Sequence, residues 1–186
     1  MALGMAWFFF RTMMKEDEGT DRMKEIAEHV RKGAMAYLKQ QYKVVAAVFV
    51  VLAIVFAFMA YVLKVQNPWV PFAFLTGGLF SGLAGFFGMK TATYASARTA
   101  YGARTGLDKG LKIAFRSGAV MGLVVVGLGL LDIAIWFIVL NAVYEGEATA
   151  LVTITTTMLT FGMGASTQAL FARVGGGIYT KAADVG

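Results

Sequence analysis

Long apolar runs alternate with short polar segments along the chain. Four of the runs reach the roughly 20 residues that a helix needs to cross the apolar core of a bilayer. They cover residues 44–63, 68–89, 117–144 and 148–172, and Asp132 is the one charged side chain within them. Membrane β-strands would instead alternate apolar and polar positions over about ten residues. The pattern therefore predicts an all-α integral membrane protein, a multi-pass helical bundle with about four full transmembrane helices.

Residues 1–10 form a fifth apolar run, which is too short to cross a bilayer. A signal peptide would carry its basic residues before the apolar segment, whereas Arg11 follows this one. We interpret the run as a partial transmembrane helix, the end of a helix whose beginning is missing or short.

Basic residues are concentrated in three polar segments. Segment 11–43 holds eight of the 17 Lys and Arg residues, segment 90–116 holds six, and segment 173–186 holds two. Because cytoplasmic segments of membrane proteins are enriched in Lys and Arg, we expect all three segments to be cytoplasmic. We predict an amphipathic helix over 11–43, where apolar residues recur at helical spacing, and a cytoplasmic helix or loop over 90–116.

The composition agrees with a membrane protein and excludes several kinds of site. Hydrophobic residues make up 58% of the chain and charged residues 15%, against about a quarter charged in soluble domains. The chain has no Cys and one His, which excludes disulfides and a metal site built from Cys or His side chains. The net charge of +6 follows from the basic segments between spans, so we predict no nucleic-acid partner.

Small residues at spacing four predict close packing between the spans. The pairs are Gly78 with Gly82, Ser81 with Gly85, and Gly118 with Gly122.

Asp132 lies near the middle of the third span. A carboxylate at this depth needs a partner or a proton, so it is either an ion or proton relay or a structural hydrogen bond to a neighbouring helix. No intramembrane partner is evident from the sequence, which favours the structural role.

The C-terminal segment carries the residues with the clearest chemistry. Lys181 and Asp184 are three residues apart, so on a helix they share a face, and Arg173 lies about two turns earlier. A lysine binds phosphate as a point charge and an aspartate is a natural Mg²⁺ ligand, which suggests a metal–phosphate site open to the cytoplasm. On local chemistry alone, a snorkelling lysine and a solvated aspartate at a helix end are the simpler explanation.

Residues 175–186, with the sequence GGGIYTKAADVG, resemble the start of the signature of membrane-bound, ion-pumping pyrophosphatases. Segments 17–28 and 93–105, with the stretches at 33–43 and 114–122 that follow them, resemble the same family. The resemblance covers nearly the whole chain. It implies the N-terminal part of a pump that couples hydrolysis of Mg-pyrophosphate on the cytoplasmic side to proton and/or sodium transport.

The resemblance also implies roles for individual residues. Lys181 corresponds to a lysine that contacts pyrophosphate, and Asp184 to the first aspartate of the metal-binding motif. Arg173 corresponds to an arginine that couples hydrolysis to ion transfer, and Ser166 to a small polar residue near the ion path. The implied cofactors are Mg²⁺ with K⁺ or Na⁺ as activators. The implied partners are pyrophosphate, the lipid bilayer and a second copy of the chain in a homodimer, in a bacterial plasma (inner) membrane.

The catalytic set is incomplete in these residues, since the family signature continues with further acidic residues beyond its match to this chain. We therefore expect an N-terminal fragment that is inactive by itself, and the pumped ion is not determined. The alternative is a small multi-pass membrane subunit that packs against a larger transporter or channel.

Overall fold

The structure, a computed structural model, describes residues 1–145 and 150–185. In this part the chain is almost entirely helical, and the prediction of an all-α fold is confirmed. The helices are α1 (Ala2–Met14), α2 (Asp21–Ala57), α3 (Val70–Thr105), α4 (Leu107–Val143) and α5 (Ala150–Val185). The end of α2 widens into a π-helical turn, Phe58–Val62, in which the Leu63 amide donates to the Phe58 carbonyl at 3.1 Å.

Three helical segments in the described part are long and apolar enough to cross a membrane, as expected of an integral membrane protein. They are Asp21–Val62, Val70–Thr105 and Leu107–Val143. Their exposed surface carries many large apolar side chains, including Ile54, Leu79 and Ile138. Such a surface suits contact with lipid and would be costly in water.

The fourth predicted span, 148–172, falls on α5, which is not among those three segments. Residues 148 and 149 lie outside the described residues. Six threonines between residues 150 and 167 lower the hydropathy of the apolar part of α5. Several of their hydroxyls donate to a carbonyl one turn earlier, as Thr157 does to Thr153 at 2.8 Å, so they are satisfied within the helix. The fourth span stays a prediction.

The polar segments are mostly helical and continue the apolar runs. Segment 11–43 was predicted as one helix, but a turn at residues 15–20 separates the end of α1 from α2, since Gly19 has a positive φ there. From its start at Asp21, α2 runs without a break into the apolar residues after it, and Gly106 alone separates α3 from α4. The tail is helical to Val185, through the three consecutive glycines 175–177. Backbone hydrogen bonds continue along a helix whether its side chains are apolar or charged. The end of an apolar run therefore indicates the boundary of a membrane span, not the end of the helix.

The chain folds into two compact units whose boundaries fall inside helices. Unit 1 comprises Met1–Lys39 and Ala84–Leu128, and unit 2 comprises Gln40–Leu83 and Gly129–Gly186.

The core of unit 1 joins α1 to α3 and α4. Met13 is fully buried against Ala95 and Ile113. At the other end of α1, Ala6 packs with Val120 and Val124.

An ion-pair network ties the turn between α1 and α2 to the rest of unit 1. One oxygen of Glu18 accepts from Arg31 at 2.8 Å and from Arg98 at 2.7 Å. The Arg98 side chain is 8% exposed, and its Nε also donates to the Glu16 carbonyl at 3.0 Å. A shared carboxylate therefore balances two guanidinium groups drawn from α2 and α3.

Gly19 lies beside this network with a φ of +96°, in the left-handed region that favours glycine. Its amide donates to the Asp17 carboxylate at 3.0 Å, and a Cβ there would clash with Met23 and Tyr101. The turn thus needs glycine for both its backbone angle and its space. Thr20 then caps α2, accepting from the Met23 amide at 3.4 Å.

Unit 2 is packed around aromatic rings and glycines. The rings of Phe49 and Phe74 stack with centroids 4.8 Å apart, and Trp136 packs in a second cluster with Leu140 and Ile154. These clusters bring α2, α3, α4 and α5 together within the unit.

Backbones of α3 and α5 approach closely at two glycines of unit 2. A Cβ on Gly77 would clash with the Phe161 carbonyl, and a Cβ on Gly164 with the Phe74 carbonyl. Nearby, Ser81 Oγ donates across the contact to the Ala165 carbonyl at 3.2 Å. This is the close packing expected where small residues let two membrane helices touch.

The small-residue pairs predicted from the sequence behave differently. Gly78 and Ser81 lie in interhelical contacts, and Gly82 faces Gln168. A Cβ built on Gly118 or Gly122 would meet nothing within 4 Å in the described part of the chain. The four-residue spacing alone therefore did not distinguish the small residues in interhelical contacts from Gly118 and Gly122.

Replacing Glu18 by Gln should destabilise the protein, because Arg98 would stay buried without its carboxylate. Breaking a buried ion pair costs about 3–5 kcal/mol, and the partial exposure of Glu18 sets the expectation near the lower end, about 3 kcal/mol. Chemical unfolding of the full-length protein in detergent measures this loss. The matched control is Glu25→Gln, which removes an exposed pair with Arg22 and should cost about 0.5 kcal/mol. Equal losses would contradict a special role for the network.

Gly164→Ala should destabilise the contact between α3 and α5 by about 1–3 kcal/mol, because the new methyl group meets backbone that cannot rotate away. Gly162→Ala is the control, since a Cβ there meets nothing within 4 Å in the described residues. It should stabilise the helix by up to about 1 kcal/mol, as Ala is the better helix former. Thermal unfolding in detergent compares the two, and a Gly164 variant as stable as the control would disprove the close contact.

Candidate functional site

The candidate site lies on the last turns of α5. Lys181 Nζ and Asp184 Oδ2 are 3.7 Å apart, with side chains 83% and 68% exposed. The prediction that they share a helix face is confirmed by this ion pair. Both side chains are therefore accessible to a ligand.

Arg173 and Ser166 lie further along the same helix, and both are exposed. Ser166, Arg173 and Asp184 are spaced by seven and eleven residues, which returns each time to nearly the same helix face. Arg173 lies about 12 Å along the axis from Lys181, from eight residues at 1.5 Å each. The four predicted residues therefore form a polar strip along α5, with Lys181 at its edge, and not a single cluster.

The C-terminal turns of α5 are loosely surrounded in the described part of the chain. A Cβ built on Gly176 or Gly177 meets nothing within 4 Å. The open face of these turns leaves room for a ligand or another helix.

The donor set fits part of a magnesium–phosphate site. Mg²⁺ in phosphate-binding sites is commonly held by one or two carboxylates together with substrate phosphates and water. Asp184 supplies one such carboxylate and Lys181 a cation for phosphate oxygens. Residues 1–145 and 150–185 contain no group of three or more His, Cys, Asp or Glu side chains that could hold a metal. The described residues thus supply one side of such a site.

The part of α5 before Arg173 is held firmly within unit 2. Gln168 is buried next to the Gly82 backbone, and Tyr42 Oη donates to the Gly82 carbonyl at 2.6 Å. Together with the close contacts at Gly77 and Gly164, these interactions fix how α5 is rotated and positioned against α3. They therefore also fix the position of the polar strip.

Asp132 is buried in unit 2. It lies on α4, whereas the strip residues all lie on α5. The Thr76 side chain on α3 lies beside its carboxyl group; Thr76 Oγ1 donates to the Ala73 carbonyl at 3.2 Å and accepts from Trp136 Nε1 at 2.8 Å. One carboxyl oxygen, Asp132 Oδ2, has no hydrogen-bond partner among the described residues. Thr76 is the polar neighbour that could not be found from the sequence.

Two features were not singled out by the sequence: the network around Glu18 and the buried Gln168. Glu18 and Arg98 lie inside the segments 17–28 and 93–105 that carried the family resemblance, which was a usable signal. Gln168 had no comparable signal, because an uncharged polar residue in a helix is common and its burial depends on neighbouring helices.

The sequence model of a family described as inorganic H⁺ pyrophosphatase matches residues 1–186. A Bacteroides thetaiotaomicron protein named a putative K⁺-stimulated pyrophosphate-energized sodium pump is 70% identical over 190 residues, covering 100% of this chain. A Clostridium tetani protein of the same name is 45% identical, and a Methanosarcina mazei K⁺-insensitive pyrophosphate-energized proton pump is 44% identical, each again over 100% of this chain.

The match covers 26%, 25% and 25% of the lengths of these three relatives, so the chain spans about a quarter of each. The family match nevertheless extends over every residue of the chain. This protein therefore belongs to the family of membrane-bound, ion-pumping inorganic pyrophosphatases.

Proposed function

We propose that the chain is the N-terminal part of a pump that hydrolyses Mg-pyrophosphate on the cytoplasmic side and moves sodium or protons across the membrane. The observation that carries this proposal is the paired Lys181 and Asp184 on the open end of α5, in a chain 70% identical to a pyrophosphate-energized pump. A small subunit that packs against another transporter has no comparable support.

Lys181 and Asp184 are proposed to bind the two parts of the substrate. The lysine ammonium contacts pyrophosphate oxygens, and the aspartate holds a Mg²⁺ ion. Their present ion pair is exposed, and such pairs contribute only about 0.2–1 kcal/mol. The two side chains therefore separate at little cost when substrate and metal arrive.

Bound Mg²⁺ would neutralise part of the phosphate charge during hydrolysis. K⁺ or Na⁺ is proposed as an activator, supported by the names of the K⁺-stimulated relatives. The chain's own contribution is to place one carboxylate and one ammonium at the end of a helix whose earlier turns are immobilised in unit 2.

Arg173 and Ser166 are proposed to connect this chemistry to ion transfer. A charged residue within a membrane helix is costly unless it faces protein or water. Both residues are exposed on the described chain, so in a complete pump we place other helices or a polar path against this face. Because α5 also carries Lys181 and Asp184, one rigid helix would join the hydrolytic site to the ion path.

The proposed topology has four full spans, with α5 as the fourth, and places segments 11–43, 90–116 and 173–186 in the cytoplasm. The distribution of Lys and Arg supports it. A bacterial plasma membrane and a homodimer are further proposals, supported by the family resemblance.

Sodium is the pumped ion we favour, since the relatives at 70% and 45% identity are both named sodium pumps. Protons are the second candidate, because a relative at 44% identity is named a proton pump.

Asp132 is proposed to be structural. It lies buried beside Thr76 of α3, and Thr76 accepts a hydrogen bond from Trp136 of α4. A place in this contact between α3 and α4 gives the carboxyl group a role in packing that needs no transported ion.

Asp184→Asn in the full-length protein should lower Mg²⁺-dependent phosphate release from pyrophosphate by about 100-fold or more, since even outer partners of metal ligands are typically worth 10–100-fold. Asp108→Asn is the control: this exposed aspartate pairs with Lys112 one turn away on α4 and should leave the rate unchanged. Equal rates for Asp184→Asn and wild type would discard the site, and absent hydrolysis in a folded wild type would discard the function. The isolated 186-residue chain should release no phosphate.

Asp132→Asn should preserve both hydrolysis and ion transport, because the amide keeps the shape and hydrogen bonding of the carboxyl group. Asp132→Leu should destabilise the protein by about 1–3 kcal/mol, because a larger side chain must fit into a fully buried position. Hydrolysis and transport assays on vesicles, with thermal unfolding, test both variants. Intact hydrolysis with abolished transport in the Asn variant would instead make Asp132 a relay.

A further inference from the structure

Unit 1 contains an apolar groove between α1, α3 and α4, with a volume of about 300 Å³. This volume is at the lower end of the range of sites that bind small molecules. The groove is lined by Leu3, Ala6, Trp7, Phe10, Phe87, Lys90, Thr91, Val120, Val124 and Leu128. All of these side chains except Lys90 and Thr91 are apolar, and the Thr91 hydroxyl is already bonded to the Phe87 carbonyl at 2.7 Å.

The groove runs along the axis of α1. Its Leu3 end lies against Gly127 of α4, while the other end approaches Met13, which is buried against Ala95 and Ile113. From Leu3 to Phe10 the helix rises by about 10 Å. The groove is therefore long and narrow, a shape that suits an extended hydrocarbon chain.

Two cations mark one end of the groove. Lys90 lines it directly, and the Arg11 guanidinium lies 5.0 Å from the ring centroid of Trp7, which also lines it. Both cations directly follow an apolar run, at positions 1–10 and 68–89. Tryptophan and cationic residues at such positions are typical of the boundary between lipid tails and headgroups.

Neither cation has a carboxylate within 4 Å among residues 1–145 and 150–185. Several other basic residues of unit 1 differ in this respect: Arg98 and Arg31 share Glu18, and Arg116 lies 3.5 Å from Glu16. Unit 1 thus neutralises these three cations internally, whereas Lys90 and Arg11 beside the groove, like Lys15, Lys39 and Arg104 elsewhere in the unit, have no such partner among the described residues. An apolar groove with unbalanced positive charge at one end is complementary to a molecule that has an anionic head and an apolar tail.

We propose that this groove binds an anionic phospholipid, with one acyl chain between α1, α3 and α4 and the headgroup phosphate between Lys90 and Arg11. Basic pockets between membrane helices on the cytoplasmic side bind anionic headgroups in this way. Free phosphate would use the cations and leave the apolar groove unfilled. This site is on α1, α3 and α4 and is separate from the proposed hydrolytic site on α5.

Native mass spectrometry of the full-length protein in mixed phosphatidylglycerol and phosphatidylcholine tests the proposal. Wild type should retain phosphatidylglycerol in preference to phosphatidylcholine. Lys90→Gln and Arg11→Gln should each weaken that retention about fivefold, the effect expected for one cation near an anionic headgroup. Lys112→Gln is the matched control, since Lys112 is an exposed lysine of the same unit that pairs with Asp108 and does not line the groove.

Leu128→Trp tests the acyl-chain part of the site, because it fills the groove and leaves both cations in place. It should reduce retention of phosphatidylglycerol while thermal unfolding shows a folded protein. The proposal fails if wild type shows no preference for phosphatidylglycerol or if the two charge variants retain as much as wild type. It also fails if excess inorganic phosphate displaces the lipid, or if cross-linking at Leu3 captures another segment of the full-length protein in the groove. Lipid retention is measured without pyrophosphate, so its outcome does not depend on the proposed pump activity.

Discussion

The close contact between α3 and α5 in unit 2 is the constraint on which the candidate site depends. Gly77 and Gly164 each leave space for a carbonyl oxygen of the other helix, and a methyl group at either position would push the helices apart. Membrane helices gain little from hydrophobic association in lipid, so van der Waals contact and interhelical hydrogen bonds must hold them. Here the backbone contact is supplemented by the Ser81 hydroxyl on the Ala165 carbonyl. The orientation of Lys181 and Asp184 follows from this contact, because α5 continues unbroken to both.

The charged residues of the chain fall into three groups with different physical roles. Glu18, Arg31 and Arg98 are largely buried and balance one another, so they stabilise unit 1. Lys181 and Asp184 form an exposed ion pair, whose weak attraction leaves both side chains available to other ligands. Lys90 and Arg11 have no acidic partner in the part of the chain that the structure describes. The same residue types therefore differ in exposure and pairing according to their neighbours, and the roles proposed for them in packing, substrate binding and lipid contact follow these differences.

Threonine is concentrated in α5. Several of its threonine hydroxyls bond to the helix's own backbone, so these polar side chains do not each need a partner on another helix. Three consecutive glycines before Lys181 would weaken a helix in isolation, yet α5 remains helical across them. Small side chains on this stretch keep the space beside the candidate site open among the described residues.

The sequence by itself determined the helical membrane class, the positions of the apolar runs, the family, and the sharing of one face by Lys181 and Asp184. These follow from hydropathy, helical spacing and a short motif, all of which are local along the chain. Only the tertiary structure decided which cations are neutralised, that Thr76 lies beside Asp132, and that Gly164 but not Gly118 or Gly122 lies in a tight contact. It also showed that polar segments continue the helices of the spans and that α1, α3 and α4 enclose a groove. The physical reason is that burial and pairing depend on residues far apart in sequence, and the packing of the helices sets the distances between them. The tendency to form a membrane helix depends instead on the residues of each segment alone.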